Sequence, residues 1–122
     1  MPEVRVVLFR EENGAVPLLA WFERLSRSAQ DKCRVRIERL AELGHELRRP
    51  EADHLRDGIY ELRAKHSGLN YRMLYFFHGQ KAVVLSHGFL KQRAKVPTRE
   101  IRAAVYRRMK FQADPRQHTH SE

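Results

Sequence analysis

Three apolar segments separated by two short turns occupy residues 59–90, and they constrain the fold more than any other feature. They read IYELRAKH (59–66), YRMLYFF (71–77) and AVVLSHGFL (82–90), joined by SGLN and HGQK. Residues that are β-branched or aromatic favour strands, and short connections join antiparallel neighbours. We therefore predict a three-stranded antiparallel meander.

A strand and two helices are predicted ahead of this meander. VRVVLF (4–9) has the composition of a strand. Pro17 suits the first position of a helix, after which Leu18, Phe22 and Leu25 recur at helical spacing. A second helix is predicted from Ser28, with Asp31 as its capping partner, to a stop at Gly44.

The segments that flank the meander complete the prediction. Residues 45–58 combine Pro50 with many charges and no period, which is typical of a loop. Thr98 is expected to cap a final helix whose inner side carries Ile101, Ala104, Val105 and Met109. The order β-α-α-β-β-β-α predicts an α+β fold, in which helices pack on one face of a small antiparallel sheet.

Length and cysteine content indicate a single cytoplasmic domain. The chain has 122 residues, and we assign residues 1–112 to one domain and residues 113–122 to a flexible tail. Cys33 is the only cysteine and cannot form an internal disulfide. Charges throughout the first residues exclude the apolar block of a signal peptide, and no segment predicts a membrane span.

The positive charge is concentrated in the second half of the domain. Residues 1–58 hold 11 Lys and Arg against 11 Asp and Glu, whereas residues 59–112 hold 12 against 2. Such a lopsided distribution favours a polyanionic ligand or an acidic partner over a merely solvated basic face.

Each meander strand brings a cationic side chain to an otherwise apolar surface. Alternation places Arg63 and Lys65 on the same face of the first strand, and it places Arg72 on the face of the second strand that carries Leu74 and Phe76. On the third strand it places five residues on one face: Val83, Leu85, His87, Phe89 and Lys91. Parity leaves open whether the three faces coincide, since a register shift of one residue reverses each of them.

If these faces converge, the surface suits a bent single-stranded RNA. Arg and Lys would hold its phosphates, and a ring such as Tyr71 would stack on a base. RNA carries its own nucleophile, the 2′-hydroxyl, so the protein needs charge stabilisation and proton transfer but no metal or other cofactor. The histidines and Cys33 show no metal-ligand spacing, and no glycine-rich phosphate loop is present.

Each candidate residue also has a purely structural interpretation. Arg63 and Arg72 would pair with Glu61 or Asp57 across the hairpin. The residues Lys91, Arg93 and Lys95 would belong to a solvated loop, His87 would be a hydrogen-bonded core histidine and Tyr71 a core ring.

Four segments resemble the HigB-like branch of the RelE/ParE toxin superfamily. They are LRDGIYELR (55–63), YRMLYFF (71–77), LSHGFLKQRAKVP (85–97) and EIRAAVYRR (100–108), and the resemblance covers about residues 4–111. It implies a RelE-like α+β fold and a toxin of a type II toxin–antitoxin system that cleaves mRNA in the ribosomal A site without metal.

The resemblance also implies partners and site residues. The partners are the 70S ribosome with its mRNA and a cognate helix-turn-helix antitoxin, through which alone the toxin would contact operator DNA. Arg63, Arg72 and Lys91 match the family's cations, and His87 is a candidate base. The predicted RNA contacts are Lys65, Tyr71, Arg93 and Lys95.

One departure from the family pattern keeps two other functions open. Many relatives have a second Lys after the one matched by Lys91, whereas this chain has Gln92 and then Arg93. A guanidinium does not titrate as an amine does. A ParE-like inhibitor of DNA gyrase and an inactive relative that acts only with its antitoxin therefore remain alternatives.

Overall fold

The computed structural model describes residues 3–120, which form one mixed sheet and three helices. The elements in chain order are β1 (Arg5–Leu8), α1 (Pro17–Phe22), α2 (Arg27–Leu43), β2 (Ala52–Arg56), β3 (Ile59–His66), β4 (Leu69–His78), β5 (Ala82–Lys91) and α3 (Thr98–Ala113). A single 3₁₀ turn, Gly44–Glu46, follows α2. The predicted α+β class is confirmed.

The sheet has the strand order β1-β5-β4-β3-β2. The meander β3-β4-β5 is antiparallel as predicted, and its register places Arg63 opposite Arg72 and Arg72 opposite Phe89. β1 is the exception to the antiparallel pattern, because it pairs in parallel with β5. The sheet is therefore mostly antiparallel.

The prediction of a loop over residues 45–58 is wrong for its second half. Residues 52–56 form β2, which pairs with β3 through Ala52–Leu62 and Asp53–Glu61. The local composition of this charged segment does not favour a strand. Strand formation here therefore depends on pairing with the edge of β3 rather than on intrinsic propensity.

The helices pack on both faces of the sheet, whereas the sequence predicts one face. Leu18, Trp21 and Cys33 of α1 and α2 share a core with Tyr75 of the sheet. Ile101 and Phe111 of α3 share the opposite core with residues that include Leu74 and Phe76. Both faces of β4 are buried, so the alternation of apolar and polar residues that would distinguish them is absent.

A bulge in β5 changes which side chains share a face. Leu74 pairs with His87 and Tyr75 pairs with Leu85, so Ser86 is an extra residue. Leu85 therefore lies in the α1–α2 core, while Phe89 lies on the α3 side and His87 contacts α3 residues. The prediction of a single face from Val83 to Lys91 is wrong, because regular alternation ends at Ser86.

The helix ends follow the sequence closely, with small differences at the caps. Ser26, not Ser28, caps α2, and its Oγ accepts a hydrogen bond from the Ala29 amide at 3.2 Å. Gly44, with a φ of 54°, ends α2 as predicted. Thr98 is the first residue of α3 rather than its cap, and the side chain of Met109 is 62% exposed rather than turned inward.

The residues after α3 are docked on the sheet, in contrast to the flexible tail that the sequence predicts. The backbone of Arg10 donates to the carbonyl of His118 at 2.9 Å, and His120 donates to Leu8 at 2.9 Å. The His118 ring stacks on Phe9 with 5.0 Å between ring centroids. The segment 114–120 thus covers the outer edge of β1; residues 121–122 of the predicted tail lie outside the described residues.

Candidate nucleic-acid interface

A cleft of about 520 Å³ opens where the sheet meets the start of α3. Its walls come from β2, β3, the end of β5, the segment 92–97 and the first turn of α3. Its charged lining residues are Asp53, Arg56, Glu61, Arg63, Lys91 and Lys95. Four cations thus face two carboxylates from four different parts of the chain, which gives the cleft a positive potential.

Glu61 is the buried centre of this charge cluster, with a side chain only 2% exposed. Its Oε2 accepts from Nε of Arg63 at 2.9 Å, and Nη2 of Arg63 lies 2.8 Å from the same oxygen. Nε of Arg72 lies 3.2 Å from Oε1, at an angle that falls short of a hydrogen bond. One carboxylate therefore balances two arginines, and the cluster retains a net positive charge.

Arg63 lines the cleft in a fixed orientation. Glu61 engages Nε and Nη2, and Asp53 lies 3.5 Å from Nη2. No hydrogen-bond partner of Nη1 occurs among residues 3–120. A guanidinium held along one side presents its remaining donors to an anion without losing much side-chain entropy on binding.

Arg72 does not line the cleft but lies next to Glu61, which does. The residue is 8% exposed, and its Nη1 donates to the Tyr71 carbonyl at 3.0 Å. Burial lowers the pKa of Arg72, a shift that the charge of Glu61 opposes. The structural interpretation of this residue therefore matches the geometry, and of the two predicted partners the structure shows Glu61.

Asp53 is a second carboxylate that holds arginines in place. Its Oδ2 accepts from Nη2 of Arg49 at 2.8 Å and faces Arg63 from the neighbouring strand. The hydrogen bond from Arg49 keeps the pKa of Asp53 below its usual value. An aspartate stabilised as the anion in this way positions cations better than it accepts protons.

His87 lies under α3, away from the cleft. Its Nε2 is 2.9 Å from Oε1 of Glu100, and its Nδ1 is 2.8 Å from Oγ of Ser86 and 3.1 Å from Nη1 of Arg107. Because a guanidinium only donates, Nδ1 is an acceptor and the proton sits on Nε2. Burial lowers the pKa of His87, the bond to Glu100 opposes this shift and Arg107 adds to it.

Three of the predicted RNA contacts lie away from the cleft. Tyr71 is buried on the opposite face of the sheet, where its ring meets Trp21 edge-on at 6.2 Å between centroids. Its ring is therefore not available to stack on a base at the cleft. Lys65 lies in a groove beside α2, and Arg93 is exposed outside the cleft lining.

Sequence reasoning missed two residues that line the cleft. Arg56 and Asp53 belong to β2, which the charged composition of residues 45–58 concealed. The alternation of Ala52, His54 and Arg56 with Asp53 and Leu55 is too weak a period to predict a strand. Within residues 3–120, no group of three or more His, Cys, Asp or Glu side chains is placed to hold a metal ion.

The fold is that of a small α+β protein with a five-stranded, mostly antiparallel sheet and three helices, which is consistent with a small RelE-like fold. Residues 20–110 match the family described as phage derived protein Gp49-like (DUF891), and the chain belongs to this family. The family is a toxin-like one of the RelE/HigB type, whose members are generally toxins of toxin–antitoxin systems. A comparison with curated proteins found no match to the chain.

One further finding concerns membranes. Across residues 3–120, none of the helices combines the length and the apolar character that crossing a bilayer requires.

Proposed function

We propose that this protein is a HigB-like toxin of a type II toxin–antitoxin system that inhibits translation by cleaving ribosome-bound mRNA. The observation that carries the proposal is the cleft, where Arg63 is oriented by the buried Glu61 and faces Lys91 and Lys95. Charged groups held by packed strands stabilise a developing negative charge better than mobile ones do.

The proposed reaction uses the 2′-hydroxyl of the RNA as nucleophile. It attacks the adjacent phosphorus, its proton passes to water, and the bond to the 5′ oxygen breaks. Arg63 stabilises the additional negative charge on the phosphoryl oxygens, and Lys91 donates a proton to the departing 5′ oxygen. The products are a 2′,3′-cyclic phosphate and a 5′-hydroxyl.

Arg72 and His87 act through other residues in this proposal. Arg72 fixes Glu61, which in turn orients Arg63. His87 joins β5 to α3 through Glu100 and Arg107 and so sets the position of the helix that begins at the cleft. Both are positioning residues, since neither lines the cleft.

The proposed partners follow from the family and the charge. A toxin requires an antitoxin, which we propose is a helix-turn-helix protein that also carries any contact with operator DNA. The 70S ribosome presents the mRNA, and the basic half of the domain favours this polyanionic environment.

The test is to map mRNA 5′ ends after incubation of the purified protein with programmed ribosomes, beside a ribosome-free control. We expect new 5′-hydroxyl ends within A-site codons only when ribosomes are present. Intact RNA in both samples, from protein shown to be folded, would contradict the proposal; DNA damage on induction would then indicate gyrase inhibition.

Substitution of Arg63 tests the assigned chemistry. We expect Arg63→Lys, which keeps a cation beside Glu61 but loses the fork, to reduce the cleavage rate by about 10²–10³-fold. Arg116→Ala is the control, because Arg116 is exposed and outside the cleft. Equal cleavage rates for the two variants, at equal folded fractions, would show that Arg63 has no role in the chemistry.

A further inference from the structure

A second basic groove lies beside the edge of β3, on the side of α2. β3 continues beyond Leu62, where its pairing with β2 ends, and α2 packs alongside the extension. The groove has a volume of about 220 Å³ and is lined by Lys32, Val35, Arg36, Ala64 and Lys65. All three of its charged lining residues are cations.

The cations of this groove differ in how they are held. Nε of Arg36 donates to the carbonyl of Arg63 at 2.8 Å, and its Nη1 donates to Glu51 at 3.1 Å. Arg36 is thus fixed to the edge of β3, with part of its charge balanced by Glu51. Lys32 and Lys65 are exposed, and no ion pair of either lysine occurs among residues 3–120.

The groove and the cleft are lined by neighbouring residues of a single strand, β3. Arg63 lines the cleft with its side chain, Arg36 binds the carbonyl of that same residue, and Lys65 follows two positions later. Two residues of a strand span about 7 Å. A chain of regularly spaced anions that passes from the cleft around the edge of β3 next to Arg63 would reach the groove within this distance.

We propose that this groove binds backbone phosphates of the RNA strand whose scissile phosphate occupies the cleft. The inference rests on the proposed function for the identity of the polyanion. Lys32 and Lys65 contact phosphates as point charges, and Arg36 keeps the edge of β3 in place between groove and cleft.

The dimensions of the groove favour a nucleic-acid backbone over an acidic peptide. Pockets that anchor side chains or small ligands enclose about 300–1,000 Å³ and are mainly apolar. This groove is smaller, and its only apolar lining is Val35 and Ala64. Phosphates that follow a shallow cationic track need no such enclosure.

The experiment measures binding of a fluorescent 2′-O-methyl oligoribonucleotide, which has no free 2′-hydroxyl to attack the phosphate. Binding is thereby separated from cleavage. Lys32→Ala/Lys65→Ala is compared with Lys81→Ala/Arg116→Ala, a control that removes equal charge from exposed positions outside both the groove and the cleft. Titrations at several salt concentrations give the affinity and its salt dependence.

We expect Lys32→Ala/Lys65→Ala to bind the RNA about tenfold more weakly than the wild type at 0.1 M salt. The plot of log affinity against log salt concentration should become less steep by about 1.4, because two phosphate contacts are lost. The control variant should retain most of the wild-type affinity. Equal losses in both variants, or no loss in the groove variant, would overturn the proposal. Loss of poly-glutamate binding with RNA binding unchanged would assign the groove to an acidic protein instead. If the wild-type protein binds RNA through the groove but does not cleave it, the proposed function is refuted and the proposed groove is not.

Discussion

At the scale of single residues, Glu61 determines the electrostatics of the cleft. It is a buried carboxylate that faces Arg63 on its own strand and Arg72 on the next. The sequence predicts a pairing of Arg63 with Glu61 or Asp57 only as an alternative to a functional role, whereas in the structure Glu61 orients an arginine that lines the cleft. The dependence of Arg63 on Glu61 arises because both side chains point to the same face of β3.

Glu61→Gln tests this dependence through stability. The substitution leaves the buried Arg72 without a counter-charge and Arg63 with Asp53 alone, and loss of one partner of a buried pair costs about 3–5 kcal/mol in the free energy of unfolding. Urea denaturation followed by Trp21 fluorescence measures it, with Asp53→Asn as a partly exposed comparison expected to cost less than about 1 kcal/mol. A Glu61→Gln variant as stable as the wild type would show that the arginines are balanced by solvent.

His87 predicts a pH dependence of stability. Burial lowers its pKa in the folded protein below the ordinary value of 6.5, so the unfolded chain binds a proton first as the pH falls. The free energy of unfolding is therefore highest above pH 6.5 and decreases between 6.5 and the folded pKa, by at most about 1.4 kcal/mol per pH unit.

The measurement for His87 is the slope of the free energy of unfolding against pH in that window. Glu100, Arg107 and Ser86 surround the ring, and His87→Gln keeps a donor towards Glu100. We expect the slope to decrease in this variant, whatever its absolute stability. An unchanged slope would assign the effect to other titrating groups.

At the scale of elements, β5 is the strand that organises both cores. Regular alternation places Val83 and Leu85 on the α1–α2 side, and the bulge at Ser86 then turns His87 towards α3. Gly88 then faces α1, where an added Cβ would overlap the Trp21 ring. The absence of a side chain at this position therefore allows α1 to pack directly on the sheet.

Gly88→Ala should destabilise the fold by overpacking. The Trp21 ring or the strand must move, at a cost of about 1–3 kcal/mol in the free energy of unfolding. A double-mutant cycle with Trp21→Leu provides the control, because a smaller side chain removes the clash and should reduce the cost of the alanine. Additive effects across the cycle would show that the two positions do not interact.

At the scale of the whole molecule, the ends of the chain are joined along one edge of the sheet. β1 is an edge strand, and the segment after α3 pairs with its end through Phe9 and Thr119. Phe9 is fully buried there beneath the His118 ring. The docked segment therefore protects apolar surface and backbone groups that an open edge would expose.

Truncation after Ala113 tests this role of the segment. Phe9 would lose the His118 ring but keep its contacts with the α3 core, so this exposure should lower the free energy of unfolding by less than the roughly 1.5–3 kcal/mol of a fully exposed Phe; the open edge should also promote self-association. Urea denaturation and size-exclusion chromatography measure the two effects, with Arg116→Ala as an exposed control in the same segment. A truncated protein with the wild-type midpoint and elution volume would show that the segment stabilises nothing.

Part of the candidate site can be predicted from the sequence, because its cations lie in segments with a clear strand pattern and in motifs that resemble those of a known family. Arg63 and Lys91 are predicted and do line the cleft. Tyr71 and His87 are predicted as well, yet one lies in the opposite core and the other beneath α3. The alternation of side chains within one strand does not show which of its faces matches a given face of the next strand. That assignment requires the register of the pairing.

Local propensity and composition are enough to predict the meander, the helix stop at Gly44, the α+β class and the basic half of the domain. Three features emerge from the three-dimensional packing instead: α3 covers the face opposite α1 and α2, residues 52–56 pair as a strand, and residues 114–120 dock on β1. A bulge, the pairing of an edge strand and the docking of a terminal segment are set by contacts between elements, and these contacts leave no period in the local sequence.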